Sequence, residues 1–143
     1  MFVSESELKV RYAETDAMEI VHHSSYIIWF EVGRTDFIDE LGISYASVEE
    51  QGFILPVLDV HATYKKPLRY GETAIVKTSL DHYDGLRIRF SYQVLNKSNE
   101  LCVEGFSSHV IVPKDTFKPI RLKNHLLELH ELFEKVKKKE GTV

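Results

Sequence analysis

One cysteine, Cys102, stands in a chain of 143 residues, so no intramolecular disulfide can staple the fold. It lies in an apolar, β-rich run, where a buried structural thiol is expected in preference to a nucleophile, and a reducing cytoplasmic setting fits. Nowhere is there an apolar run long enough to cross a bilayer, and the start, MFVSESELKV, is acidic without the apolar core of a secretion signal. The expectation is a soluble, unprocessed chain. Glycine-rich cradles of the G-x-x-x-x-G-K-[ST] or G-x-G-x-x-G kind are missing, which disfavours ATP and NAD chemistry. H-x-x-x-H spacing and cysteine clusters are missing as well, and with them the usual zinc patterns. A formal charge of -4 argues against a general nucleic-acid binder while leaving small anionic ligands open. No repeat or low-complexity segment divides the chain, and 43% hydrophobic with 28% charged residues fits one globular domain over 1–143.

What is present reads as one helix followed by strands. From Tyr26 to Leu41, Ile27, Phe30, Phe37, Ile38 and Leu41 follow the helical period, and Ile28, Trp29 and Val32 spread the apolar surface most of the way round the first turns. Such a helix needs cover on several sides. Ser24-Ser25 gives a helix-start signal and Gly42 a plausible end, and Ser44 to Gln51 fits a second short helix or a loop. Beyond it the period changes to two. Segments 53–64, 73–82, 87–95 and 101–112 are predicted strands, broken by Lys66-Pro67, Tyr70-Gly71, Asp84-Gly85 and Asn96 to Asn99, mostly at hairpin spacings. In the cleanest, Ile88, Phe90, Tyr92 and Val94 point one way while Arg87, Arg89, Ser91 and Gln93 point the other. With Leu8 to Tyr12 as a further strand, the economical α+β arrangement is an apolar helix cradled by a curved antiparallel sheet. A final helix over about 124–139 carries an Asn124 cap, apolar Leu126, Leu129, Phe133 and Val136, and a closing lysine run that complements the dipole.

The densest chemistry lies in RYAETDAMEIVHHSSYIIWFEVGR, residues 11–34. Asp16 precedes the helix start by a few residues. A carboxylate so placed can work on a carbonyl whose oxygen points at the helix's free N–H groups, because those donors and the helix dipole favour developing negative charge. That is an acyl-transfer geometry. The plainer reading is that Asp16 caps a turn, as Thr-Asp pairs commonly do. His22 and His23, with Asp16, also invite a metal reading, but adjacent side chains rarely point the same way, so no metal site is expected.

Arg11, Tyr12, Glu14, Thr15, Asp16, Val21, His22, His23, Tyr26, Trp29, Phe30, Glu31 and Arg34 fall in register with R-Y-x-E-T-D-x-x-G-x-V-H-H-x-x-Y-x-x-W-F-E-x-x-R. In this the chain resembles the 4-hydroxybenzoyl-CoA thioesterase-like branch of hotdog-fold acyl-CoA thioesterases. The likeness continues more loosely through PVLDVHATYKKPLRYGE and KPIRL. One departure is Glu19, where the family usually has glycine; a loop that needs positive φ there strains glutamate, so the loop after Asp16 is expected to differ slightly.

The resemblance implies a hotdog fold and hydrolysis of an acyl-CoA thioester. Asp16 would attack the thioester directly or activate a water, two routes that stay open here. The backbone N–H near His23 would polarise the carbonyl, and His22 would orient the substrate or the aspartate. Tyr12 and Tyr26 flank Asp16 and would line the acyl pocket, or else serve as plain core. Coenzyme A, as part of the substrate, ends in phosphates, for which Lys65, Lys66, Arg87 and Arg89, and further on Lys118 with Arg121, are candidates; no metal or organic cofactor is required. Glu31 and Arg34 lie one helical turn apart and are read as a structural ion pair, and the remaining histidines as surface or strand residues. The resemblance also implies a homodimer whose sheets run together, often paired again into a homotetramer. Two rivals remain: a hotdog hydratase or dehydratase, and a non-catalytic acyl-CoA-binding protein.

Overall fold

The computed structural model describes residues 2–139. Met1 and residues 140–143, the two ends of the range read as one domain, lie outside the described residues. In chain order the elements are β1 (Val3–Lys9), a 3₁₀ turn (Tyr12–Glu14), α1 (His23–Glu40), α2 (Tyr45–Glu50), β2 (Phe53–Ile54), β3 (Val57–Tyr64), β4 (Thr73–Tyr83), β5 (Ile88–Leu95), β6 (Leu101–His109), β7 (Val112–Pro113), α3 (Leu122–His125) and α4 (Leu127–Val136). Five strands form one antiparallel sheet in the order β1-β4-β5-β6-β3, and β2 pairs with β7 apart from it. The α+β arrangement is the expected one, an apolar helix against a curved antiparallel sheet.

Helix α1 buries Tyr26, Trp29, Phe30, Phe37 and Ile38. Phe30 stacks on Tyr92 with ring centroids 4.2 Å apart, and Phe37 meets Phe90 edge-on at 5.5 Å. Each such ring removed from water contributes about 2 kcal/mol. Strand β5 alternates as its sequence requires: Ile88, Phe90, Tyr92 and Val94 are buried, whereas Arg87 and Gln93 are exposed. Where the helix crosses β6, Gly105 admits it, since a Cβ there would stand 2.1 Å from the His61 carbonyl oxygen and 2.9 Å from the Phe30 ring. Only hydrogen fits.

Four expectations need correction. The first strand runs over Val3–Lys9, not Leu8 to Tyr12, because its buried face is built of Ser4 and Ser6, with Ser6 donating to Asp36 of α1 at 2.6 Å. Hydrophobic periodicity cannot register a buried serine row. The connection at 65–72 is no hairpin: β3 pairs with β6, so the chain crosses to β4 on the far side of β5 and β6. That crossover buries Leu68, whose carbonyl accepts from Val21 N at 2.8 Å and so ties it to the segment ahead of α1. Asn124 caps nothing among the described residues; it lies within α3, the chain turns at Leu126, and α4 runs from Leu127 to Val136. Finally, no Glu31–Arg34 ion pair forms among the described residues. Glu31 is exposed, while the Arg34 charge faces Tyr92 and His109.

Near the Arg34 charge runs a buried polar chain. The Tyr92 hydroxyl lies 2.5 Å from Ser107 Oγ, Ser107 Oγ lies 2.7 Å from His109 Nε2, and His109 Nδ1 lies 3.2 Å from the Pro56 carbonyl oxygen. The carbonyl can only accept, so a neutral His109 carries its proton on Nδ1 and Nε2 accepts from Ser107. Burial, helped by the Arg34 charge, pushes His109 down to about 4 from the ordinary 6.5, against the pull of the Pro56 and Leu55 carbonyls and Asp59. The folded chain therefore holds His109 neutral where the unfolded chain protonates it. Stability from this group is fully present above about pH 6.5 and is lost as pH falls toward 4. Denaturation at about pH 7.5 and about pH 5 should differ by about 2 kcal/mol on this account, and His109→Gln should remove that part of the difference. An unchanged pH dependence in the variant would contradict the assignment.

Candidate active site

The segment between the 3₁₀ turn and α1 closes on itself as a small hairpin. Thr15 bridges Val21, Asp16 N donates to the Ile20 carbonyl at 2.9 Å, and His22 N donates to the Glu14 carbonyl at 2.8 Å. Asp16 stands at the first corner. One of its oxygens, Oδ1, accepts from Met18 N at 2.8 Å, so the turn-capping geometry is present; it engages one oxygen and leaves Oδ2 for chemistry. Glu19 closes the loop at φ 65°, with its N–H donating to the Asp16 carbonyl at 2.9 Å. The position does need the left-handed conformation, and glutamate holds it at a cost of about 1–2 kcal/mol.

Helix α1 starts earlier than its serines suggest. His22 is the cap: its Nδ1 accepts from Ser24 N at 3.2 Å and lies 2.8 Å from Ser24 Oγ, the role that serine or aspartate usually fills. The rings of His22 and His23 lie 4.1 Å apart, tilted by 31°, so these neighbours do point the same way, contrary to expectation. Among the described residues no group of three or more His, Cys, Asp or Glu is placed to share a metal ion. Of the amides at the helix start, His22 N is taken by Glu14, Ser24 N by His22, and Ser25 N by the His22 carbonyl. His23 N has no acceptor among the described residues. It is a free donor at the helix N-terminus, where dipole and unpaired N–H act together.

Asp16 and His23 line one open cleft of about 290 Å³ with Met18, Ile20, Tyr26 and Tyr64, and with Lys65 and Lys66 at its edge. Tyr26 is buried, and that burial pushes its phenol up to about 12, so it stays a neutral wall at working pH. Tyr64, at the end of β3, donates to the His23 carbonyl at 3.1 Å and packs edge-on to the His23 ring. Sequence reasoning passed over it. Its only signal was a place beside Lys65 in the ATYKKP stretch, with no hint that β3 would end at the helix start. Lys65 pairs with Glu104 at 3.5 Å and Lys66 with Glu100, so both lysines already hold carboxylates at the cleft edge.

A second cavity, of about 700 Å³, also touches Asp16 and is lined by Tyr12, Glu19, Arg69 and Tyr70. Tyr12 is exposed and meets the Tyr70 ring edge-on at 5.7 Å. The structure thus gathers Asp16, His22, His23, Tyr12, Tyr26, Lys65 and Lys66 around one loop and one helix start. Arg87 and Arg89 are elsewhere. Arg89 pairs across the sheet with Ser108 and Tyr64 with Val103, a separation of five residues along β6 and so ~17 Å. Its guanidinium covers the Phe106 ring at 4.4 Å. Neither arginine lines either of these two cavities at Asp16.

Comparison with known proteins places this arrangement. The Thioesterase-like superfamily pattern matches residues 10–129. A Bacillus subtilis protein that carries the name "Putative acyl-CoA thioesterase" is 46% identical over 138 residues, covering 96% of this chain and 100% of that one. A crystal structure of DHNA-CoA thioesterase from Staphylococcus aureus superimposes with a TM-score of 0.92 at 43% identity, covering 94% of this chain and 91% of that one. A hypothetical protein of Thermus thermophilus superimposes with a TM-score of 0.82 at 35% identity over 90% of this chain and 98% of that one. With the family pattern matched over residues 10–129 and relatives at 46% and 43% identity matched over nearly the whole chain, the chain belongs to the thioesterase-like superfamily and has its hotdog fold.

Proposed function

We propose that this chain hydrolyses an acyl-CoA thioester to the free acid and coenzyme A, with Asp16 and the His23 amide as its chemical groups. The observation that carries the reading is their meeting in one cleft: a carboxylate oxygen without a partner, and a helix-start N–H without an acceptor. The carbonyl oxygen would sit on the amide, where negative charge develops as the carbonyl becomes tetrahedral. Asp16 then takes a proton from water, which adds to the carbon, or adds to the carbon itself to give an anhydride that water opens. On either route the C–S bond breaks and the thiol leaves with a proton. No metal or organic cofactor enters the route.

The cleft walls support an acyl group beside Met18, Ile20 and Tyr26, with the coenzyme leaving over Lys65 and Lys66. The aromatic lining formed by Tyr26, Tyr64 and His23, and the DHNA-CoA thioesterase among the structural relatives, make an aromatic acyl group the first to test. No helix among the described residues is long and apolar enough to cross a membrane, and a cytoplasmic setting is part of the proposal. So is a homodimer, or a homotetramer of two such pairs. Along β3, Val60, Ala62 and Tyr64 share one face, and Tyr64 reaches the helix start; Val60 is exposed there, Leu58 is exposed at the bulge of that strand, and Ile27 and Ile28 of α1 are exposed too. An edge strand with an apolar face beside an apolar helix face is open to association, and a second copy covers both by symmetry.

The carrier is tested at the cleft edge. Lys65→Ala with Lys66→Ala should raise KM for acyl-CoA several-fold while kcat stays within about twofold, and added salt should raise KM of the unaltered protein in the same way. Salt-independent kinetics, or a loss confined to kcat, would remove the phosphates from these lysines.

A further inference from the structure

Glu14 is a carboxylate that the chemistry above leaves unused, yet it is 8% exposed and fully engaged. Oε1 accepts from Arg11 N at 2.8 Å; Oε2 accepts from Trp29 Nε1 at 2.6 Å and, more weakly, from the Arg11 guanidinium at 3.4 Å. Its carbonyl accepts from His22 N at 2.8 Å and from Ser25 Oγ at 3.4 Å. One residue therefore grips α1 twice, through the main chain at its first turn and through the side chain at Trp29, a turn further on. It also fixes the start of the loop whose first corner is Asp16, two residues later.

We propose that Glu14 is a positioning residue of the site, holding the Asp16 loop against the start of α1 so that the carboxylate and the His23 amide keep their separation. The inference rests on the function proposed above. Two N–H donors, a buried indole and a part-buried backbone amide, converge on this side chain. An ionised carboxylate is acceptor-only and satisfies both, whereas an amide must turn a donor toward one of them. The loop has few other fastenings of that strength. The Thr15–Val21 bridge and the Asp16–Ile20 bond close the hairpin on itself, and Val21 N ties it to Leu68, whereas among the described residues the bonds from Glu14 join it to α1. A shift of about 1 Å between reacting groups costs on the order of a hundredfold in rate, so a small relaxation there is felt in kcat.

Glu14→Gln, Trp29→Phe and the double variant test this, each by kcat and KM per folded chain and by amide hydrogen exchange at His22 and Ser25. Glu14→Gln should lower kcat at least tenfold with KM changed less than threefold, and should speed exchange at both amides. In the double variant the glutamine oxygen can face Arg11 N while its NH₂ faces the Phe ring, so the loss should be smaller than the product of the two single losses. Unchanged kcat in Glu14→Gln, independent multiplication of the two effects, or a fall in melting temperature with kcat intact would each overturn the proposal. Should Glu14→Gln not fold, Trp29→Phe decides alone: a fivefold loss of kcat with faster exchange supports it, and an unchanged kcat overturns it. Should the unaltered protein turn over no acyl-CoA, the proposed function falls, and exchange at His22 and Ser25 still judges Glu14, with unchanged protection counting against it.

Discussion

Asp16→Asn is expected to lower thioester turnover at least about a hundredfold, with KM and melting temperature nearly unchanged. The substitution isolates the chemistry. Asparagine keeps the Oδ1 acceptor for Met18 N, so the turn at the loop's first corner survives. Only the charge and the basic oxygen are lost, and with them both routes, proton abstraction from water and direct attack. His22→Ala should cost far less, because His22 caps α1 through Nδ1 and the loss is that of a helix cap, about 1 kcal/mol. Steady-state kinetics on both variants check the ranking: near-normal turnover in Asp16→Asn would take Asp16 out of the mechanism, and an equal loss in His22→Ala would move the chemistry toward the histidine.

The second large effect is expected from the free edge of the sheet. Leu58→Glu with Val60→Glu places two like charges at exposed apolar positions of the edge strand β3. In a symmetric dimer each charge is met by its own copies, a repulsion added to lost apolar contact. Tyr64, the last residue of that strand, lines the cleft at Asp16, so a chain separated from its proposed partner should keep its fold and lose at least about a hundredfold in turnover, as a site deprived of a wall loses its hold on the reacting geometry. Sedimentation with activity measured on the same samples decides the matter. A folded, fully active monomer of the unaltered protein would contradict a site that needs a second copy.

Much of this was legible from the residues because local periodicity and local chemistry coincide there. The alternation of Ile88, Phe90, Tyr92 and Val94 fixed a face of β5, and the glutamate in a glycine's place at position 19 marked a left-handed turn that the backbone does take. The helix, the loop and Asp16 were within reach for the same reason. What stayed hidden depends on register and on contacts distant in sequence. The serine face of β1 makes sense only under α1, where Ser6 meets Asp36. Arg89 looked like a partner for the coenzyme until pairing with Ser108 set it far along the sheet from Tyr64. Glu14 fell in register with a family pattern, but its bond to Trp29 spans fifteen residues and needs the folded loop to exist. The cap of α1 was misread by a residue type, since His22 does there what a serine was expected to do.

The central claim, that this chain breaks the thioester bond itself, is met most directly by following thiol and acyl group together when the purified protein is given a panel of aromatic and aliphatic acyl-CoAs. The account predicts one free thiol and one free acid for each substrate consumed. An acyl chain altered with its thioester intact and no thiol released, or substrate bound and left unchanged, would contradict it.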